Sequence, residues 1–171
     1  MSNVYFVGDL HFGHTNVHKF RKNCEEMKFE NETHHREFVM DMWQSTIVKR
    51  DKIFVLGDAC FTMDAIPDIQ KLNGTKILVR GNHDNLNTSV YLKAFKEVEG
   101  ICRYKNAWLT HAPIHPLELR GKINIHGHVH FATVPDDRYE NVCLENIGFK
   151  PISWQQIIEK REKRKEEGEN E

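Results

Sequence analysis

FVGD, at residues 6–9, ends a short apolar run in glycine and aspartate. The same ending returns as VLGD at 55–58 and, with asparagine, as VRGN at 79–82. The runs themselves are NVYFV (3–7), IFVL (53–56) and ILV (77–79). They are rich in β-branched and aromatic residues and read as buried strands. Between the first two, Val39, Trp43 and Ile47 recur every four residues with Phe38 and Met42 beside them. That spacing predicts an amphipathic helix over 34–48. Ile66, Ile69 and Leu72 predict a shorter helix that stops at Asn73-Gly74. Strand alternating with helix argues for an α/β domain.

The second half is richer in strands. ICRY and AWLTH flank Lys105-Asn106 as a hairpin would, and INIH and VCLENI read as further strands. The last helix carries its own start signal. Ser153 and Gln156 make a capping box, and Ile152 and Ile157 sit where a hydrophobic staple belongs. The expected organisation is one domain over 1–165 and a charged, fraying tail over 166–171.

In open α/β sheets, ligand sites lie beyond the carboxyl ends of the strands. Asp9, Asp58 and Asn82 should therefore converge at one sheet edge. His11 follows Asp9 by two residues and His83 follows Asn82 directly. AWLTH ends in His111, and NIHGHVH (124–130) adds His126, His128 and His130. Taken singly, each motif has a plain alternative: Gly-Asp is a common turn, and alternate histidines can line one face of an edge strand. Together, in order and each after a strand, they point to metal. Mixed carboxylate and imidazole donors suit zinc, manganese, iron or nickel rather than calcium. The donors exceed what one tetrahedral ion needs and suffice for two ions sharing a carboxylate, the arrangement used for phosphoester displacement.

Composition narrows the field. The 171 residues carry a net charge of −1, so no global field draws the chain to nucleic acid or an anionic membrane. No run of eighteen apolar residues predicts a transmembrane helix. MSNVYFVGDLH has no basic region ahead of an apolar core, so no signal peptide is expected. Cys24, Cys60, Cys102 and Cys143 form no CxxC pair and read as reduced thiols of a cytoplasmic protein.

The blocks GDLHFG (8–13), GD (57–58), GNHD (81–84), THAP (110–113) and GHVH (127–130) resemble the calcineurin-like metallophosphoesterase superfamily. DLHFGHTN and NVCLENIGFKPISWQQI look like its small single-domain phage and bacterial branch. The resemblance implies a two-sheet α/β sandwich flanked by helices. It implies one metal held by Asp9, His11, Asp58 and His130 and a second by Asp58, Asn82, His111 and His128, with Asp58 bridging. The cofactors would be two divalent transition-metal ions, Mn²⁺ first, with Fe, Ni, Co or Zn as alternatives. Hydrolysis of a phosphodiester, or of a phosphomonoester, would follow from attack by a metal-bridging hydroxide, with His83 assisting the leaving group.

Other residues are read on their own chemistry. Asp84 is suited to orient His83. Arg80 and His14 are candidates for touching substrate, weighed equally against a surface arginine and a helix-capping histidine. His126 falls outside the motif and reads as packed, and Cys60 reads as buried. The expected partner is a small phosphoester, nucleotide-derived in one reading, with no membrane. A nuclease is a competing reading, disfavoured by the near-zero charge. A protein-interaction scaffold is another, disfavoured because His83 and all seven inferred ligands are present.

Overall fold

Val4–Val7 (β1), Lys52–Val55 (β2) and Thr75–Val79 (β3) are parallel neighbours in a computed structural model that describes residues 2–21 and 28–168. Glu97–Glu99 (β4) extends this sheet beyond β3, and Ile152–Ser153 (β9) closes its other edge antiparallel to β1. Besides the single-turn helices Val17–Phe20 (α1) and Thr88–Tyr91 (α4), Glu32–Thr46 (α2) and Ile66–Lys71 (α3) cover one face. Val39, Trp43, Ile47, Ile66 and Ile69 from that helical layer bury with Val7, Ile53, Val55 and Leu78 from the strands. Fully burying one such side chain stabilises by about 1.5–3 kcal/mol, so this layer outweighs any single loop contact. Asn31 caps α2 by accepting from the His34 N–H, and the Trp43 indole donates to the Asn73 carbonyl at 3.0 Å. The helix is thereby pinned to the turn that precedes β3.

The second sheet runs in the order Cys102–Tyr104 (β5), Ala107–Thr110 (β6), Ile123–His126 (β7) and Tyr139–Asn141 (β8). The hairpin across Lys105-Asn106 forms as expected, while β6, β7 and β8 are parallel. A second core lies between the sheets. Phe6, Phe54, Leu56, Ile77 and Val79 of the first meet Ala107, Leu109, Ile123 and Ile125 of the second. The architecture is the expected two-sheet α/β sandwich with helices.

Trp154–Gly168 (α5) starts with the capping box that the sequence announces. The Gln156 N–H donates to Ser153 Oγ at 3.2 Å, and the Ser153 N–H donates to Gln156 Oε1 at 2.9 Å. Ile157 is buried in the inter-sheet core, with Ile152 packed against it. The helix continues through Glu166 and Glu167 to Gly168, and residues 169–171 lie outside the described part.

Three elements depart from expectation. VCLENI is not a strand: pairing lies earlier, in the polar segment YEN, and Leu144–Asn146 is a 3-10 turn. The Asn141 side chain accepts the Cys143 N–H at 2.9 Å, which bends the chain out of the sheet while Leu144 is buried. β4 and β9 are edge strands of three and two residues, too short and too polar to stand out as apolar runs. Cys60, Cys102 and Cys143 are free thiols, and Cys24 lies outside the described residues. No helix among the described residues is long and apolar enough to cross a membrane.

Candidate metal centre

Asp9 follows β1, Asp58 follows β2, Asn82 and His83 follow β3, His111 follows β6, and His128 and His130 follow β7. All lie past the carboxyl ends of parallel strands. Eight non-glycine residues among those described have positive φ, and five of them are Asp9 (62°), His11 (55°), Asp58 (52°), His128 (73°) and His130 (49°). A left-handed backbone costs a non-glycine residue on the order of 1 kcal/mol or more, and such residues concentrate at functional sites. Glycine makes the crowding possible. A Cβ on Gly57 would stand 2.2 Å from His111 Nδ1, and one on Gly127 would stand 2.3 Å from Asp9 Oδ2.

The donors separate into two groups that meet at Asp58. His11 Nε2 lies 3.5 Å from Asp9 Oδ1 and 3.6 Å from Asp58 Oδ2, and His130 Nε2 lies 3.8 Å from Asp9 Oδ1. On the other side, His111 Nε2 lies 3.5 Å from Asp58 Oδ1, 2.9 Å from Asn82 Oδ1 and 3.1 Å from His128 Nδ1. The Asp58 carboxylate thus turns one oxygen toward each group. Asp9, His11 and His130, and separately Asp9, Asp58 and His111, are close enough to hold an ion.

Metal fits these residues on local grounds. Asp9 Oδ1 and His11 Nε2 are buried and have no hydrogen-bond partner. Leaving such atoms unpaired costs on the order of 1–3 kcal/mol each, and a cation between them removes that cost. The remaining polar atoms are held in place. Asp9 Oδ2 accepts from the His128 N–H at 2.9 Å and from the Cys143 thiol at 3.1 Å. His111 Nδ1 lies 2.9 Å from the Leu56 carbonyl, which sets the tautomer that leaves Nε2 free to ligate. Burial alone would raise the Asp9 carboxyl, but His11, His111 and the His128 N–H outweigh it and hold it at about 2.

His83 is exposed at the mouth of this cluster, its ring stacked on Phe61 at 4.9 Å. Its backbone N–H donates to Asp58 Oδ1 at 2.9 Å. Asp84 does not orient it. The Asp84 carboxylate accepts three backbone N–H groups instead, from Asp58 and Gly81 at 2.8 Å and from Ala59 at 2.9 Å. It ties the loop after β3 to the loop after β2. Arg80 is likewise taken up by structure. Its guanidinium donates to the carbonyls of Asp84 and Leu86 and lies over the Tyr91 ring at 5.5 Å. Those carbonyls use both Nη2 donors, and Nη1 donates to Thr88 Oγ1 at 3.4 Å. His14 sits beside the site with Nδ1 accepting the Asn16 N–H, and its ring is 5.9 Å from that of His11. His126 is fully buried against Tyr139, as a packed residue would be. Cys60 is also fully buried, its thiol pushed up to about 12 by burial.

Sequence reasoning missed the support beneath the cluster. Glu145 Oε1 lies 3.1 Å from His130 Nδ1 and 2.8 Å from Arg21 Nε. Burial pushes the Glu145 carboxyl up, but His130 and Arg21 outweigh it and hold it at about 2. Arg21 also donates to the backbone carbonyls of Asp9 and Leu10 and meets His35 of α2. The only signal for this network was a carboxylate inside the LENI run, read there as part of a strand.

A protein of Methanocaldococcus jannaschii described as uncharacterized is 29% identical, over 96% of this chain and 94% of its own. The Gene 66 protein of Mycobacterium phage L5 is 27% identical, over 76% of this chain and 78% of its own. A crystal structure of an Aquifex aeolicus protein of unknown function shares the fold, with a TM-score of 0.75 at 24% identity over 93% of this chain and 99% of its own. Residues 2–169 match the family model for calcineurin-like phosphoesterases, which spans every strand end that carries a donor. The chain belongs to the calcineurin-like phosphoesterase family.

Proposed function

We propose that the protein is a metal-dependent phosphoesterase that hydrolyses small phosphodiesters at this cluster. Asp9, His11, Asp58 and His130 would hold one divalent ion, and Asp58, Asn82, His111 and His128 the other, with manganese the first candidate. When bound, such a pair supplies a water of lowered pKa and neutralises charge on the phosphoryl oxygens. The observation that carries the reading is the Asp58 carboxylate, split between two sets of donors at 3.6 and 3.5 Å.

The chain's own residues do the rest. Glu145 and the Leu56 carbonyl fix the rings of His130 and His111. Asp84 holds the backbone of Asp58. His83, exposed and stacked on Phe61, would give a proton to the departing oxygen. General acid help of that kind contributes about 10²–10⁴-fold. The free cysteines support a reducing, cytoplasmic setting.

Turnover of bis-p-nitrophenyl phosphate and p-nitrophenyl phosphate by metal-stripped protein, with and without Mn²⁺, tests this. Metal-dependent cleavage of the diester is expected. Cleavage of the monoester alone would make the protein a phosphatase, and no cleavage with any divalent metal would remove the enzyme reading.

A further inference from the structure

The metal cluster opens sideways into a recess of about 280 Å³ lined by His11, His14, Val17, Phe20, His130 and Phe131. Two of these walls, His11 and His130, are donors of the first metal group. Whatever fills the recess is therefore next to the phosphorus of a bound ester. Its outer walls are unusual for a protein surface. Phe20 is 68% exposed and Phe131 is 48% exposed. The His14 ring stands edge-on to Phe20 at 5.6 Å and to Phe61 at 4.6 Å. Single exposed apolar residues need no explanation, but two phenylalanines and a histidine around one recess beside a polar centre do.

We infer that this recess receives the aromatic ring of the ester, so that the substrate is a nucleoside phosphodiester of mononucleotide size. The inference rests on the phosphoesterase reading and names its substrate class. Two features select a ring over an alkyl chain. The recess is at the lower end of small-molecule sites, which begin near 300 Å³, so it holds one ring system and little more. Its walls are themselves rings, which stack on or meet the edge of a planar group. Stacking of a base on aromatic side chains is tolerant of base identity, because every base has a π-face. The recess should therefore select for a base without selecting strongly among bases.

The test keeps the leaving group constant. Manganese-loaded protein is assayed on the p-nitrophenyl esters of thymidine 5′-monophosphate, methyl phosphate and hexyl phosphate. The thymidylyl ester should have a kcat/KM at least about tenfold above both others. Phe20→Ala and Phe131→Ala should each cut that ratio several-fold, and the double variant should bring it near one. Both side chains are exposed, so the variants should keep the wild-type thermal midpoint. An equal rate on the hexyl ester, or a ratio unchanged in the double variant, overturns the inference.

Equilibrium dialysis of thymidine 5′-monophosphate against methyl phosphate decides the matter without turnover. If no ester is cleaved, the phosphoesterase reading falls. Tighter binding of the nucleotide, lost in the double variant, would then still uphold the recess, and equal binding of the two would overturn it.

Discussion

Glu145 Oε1 lies 3.1 Å from His130 Nδ1, so the other ring nitrogen, Nε2, is the one that faces Asp9. A carboxylate behind a ligating histidine fixes its tautomer and raises its basicity, and removing it typically costs 10–100-fold in metal affinity. We predict that Glu145→Gln weakens manganese binding by about 10–100-fold. Competition with a metallochromic chelator reads this directly. Unchanged affinity would mean that Glu145 serves only to pair with Arg21.

Asp84 carries the loops rather than the chemistry. Its carboxylate takes three backbone N–H groups, and charge-assisted bonds of this kind are the strong ones. Asp84→Asn should lower unfolding stability by about 1–3 kcal/mol in denaturant titrations. The acid limb of the pH–rate profile should stay where it is. A moved limb with unchanged stability would restore Asp84 as the residue that orients His83.

His83 is the proposed proton donor, and its effect should depend on what departs. With an alkoxide leaving group, His83→Ala should slow turnover by about 10²–10⁴-fold. With p-nitrophenolate, which leaves without a proton, the loss should be far smaller. Equal losses on both esters would assign His83 a binding role instead. Manganese content should match the wild type, because the donor groups do not include its imidazole.

His35 makes the stability of the metal-free protein depend on acid. It is fully buried, and burial together with the Arg21 charge lowers it from 6.5 to about 2. The unfolded chain therefore binds a proton below about pH 6.5 that the folded chain refuses. That stability is present above pH 6.5 and is lost as pH falls. The loss reaches about 1.4 kcal/mol per pH unit for one proton. His11 and His126 shift the same way and His130 the opposite way, so the readout is the difference between proteins. In His35→Gln, the slope of unfolding free energy between pH 6 and 5 should be shallower than in the wild type by nearly that amount. An unchanged slope would mean that His35 already accepts its proton in the fold.

The glycine-terminated strands were legible because each is an apolar run ending in a residue type the chemistry requires. Asp9, Asp58 and Asn82 do meet past one set of strand ends, and the histidines of AWLTH and GHVH join them there. The capping box at Ser153 was legible because it is local in sequence. The contacts of Arg80, Asp84 and Glu145 were not legible for a common reason. Their partners are backbone carbonyls, backbone N–H groups and a side chain 124 residues away, and no spacing in the chain encodes those contacts. β4 and β9 stayed hidden because an edge strand of two or three residues has no period to detect.

The most direct test of the central claim is a count of manganese ions bound per chain, by equilibrium dialysis of metal-stripped protein, for the wild type and for Asp58→Asn. The split Asp58 carboxylate predicts two ions in the wild type, and one or none, with turnover lost, in the variant. A single ion in the wild type, or two ions and full turnover in Asp58→Asn, would contradict a centre joined at Asp58.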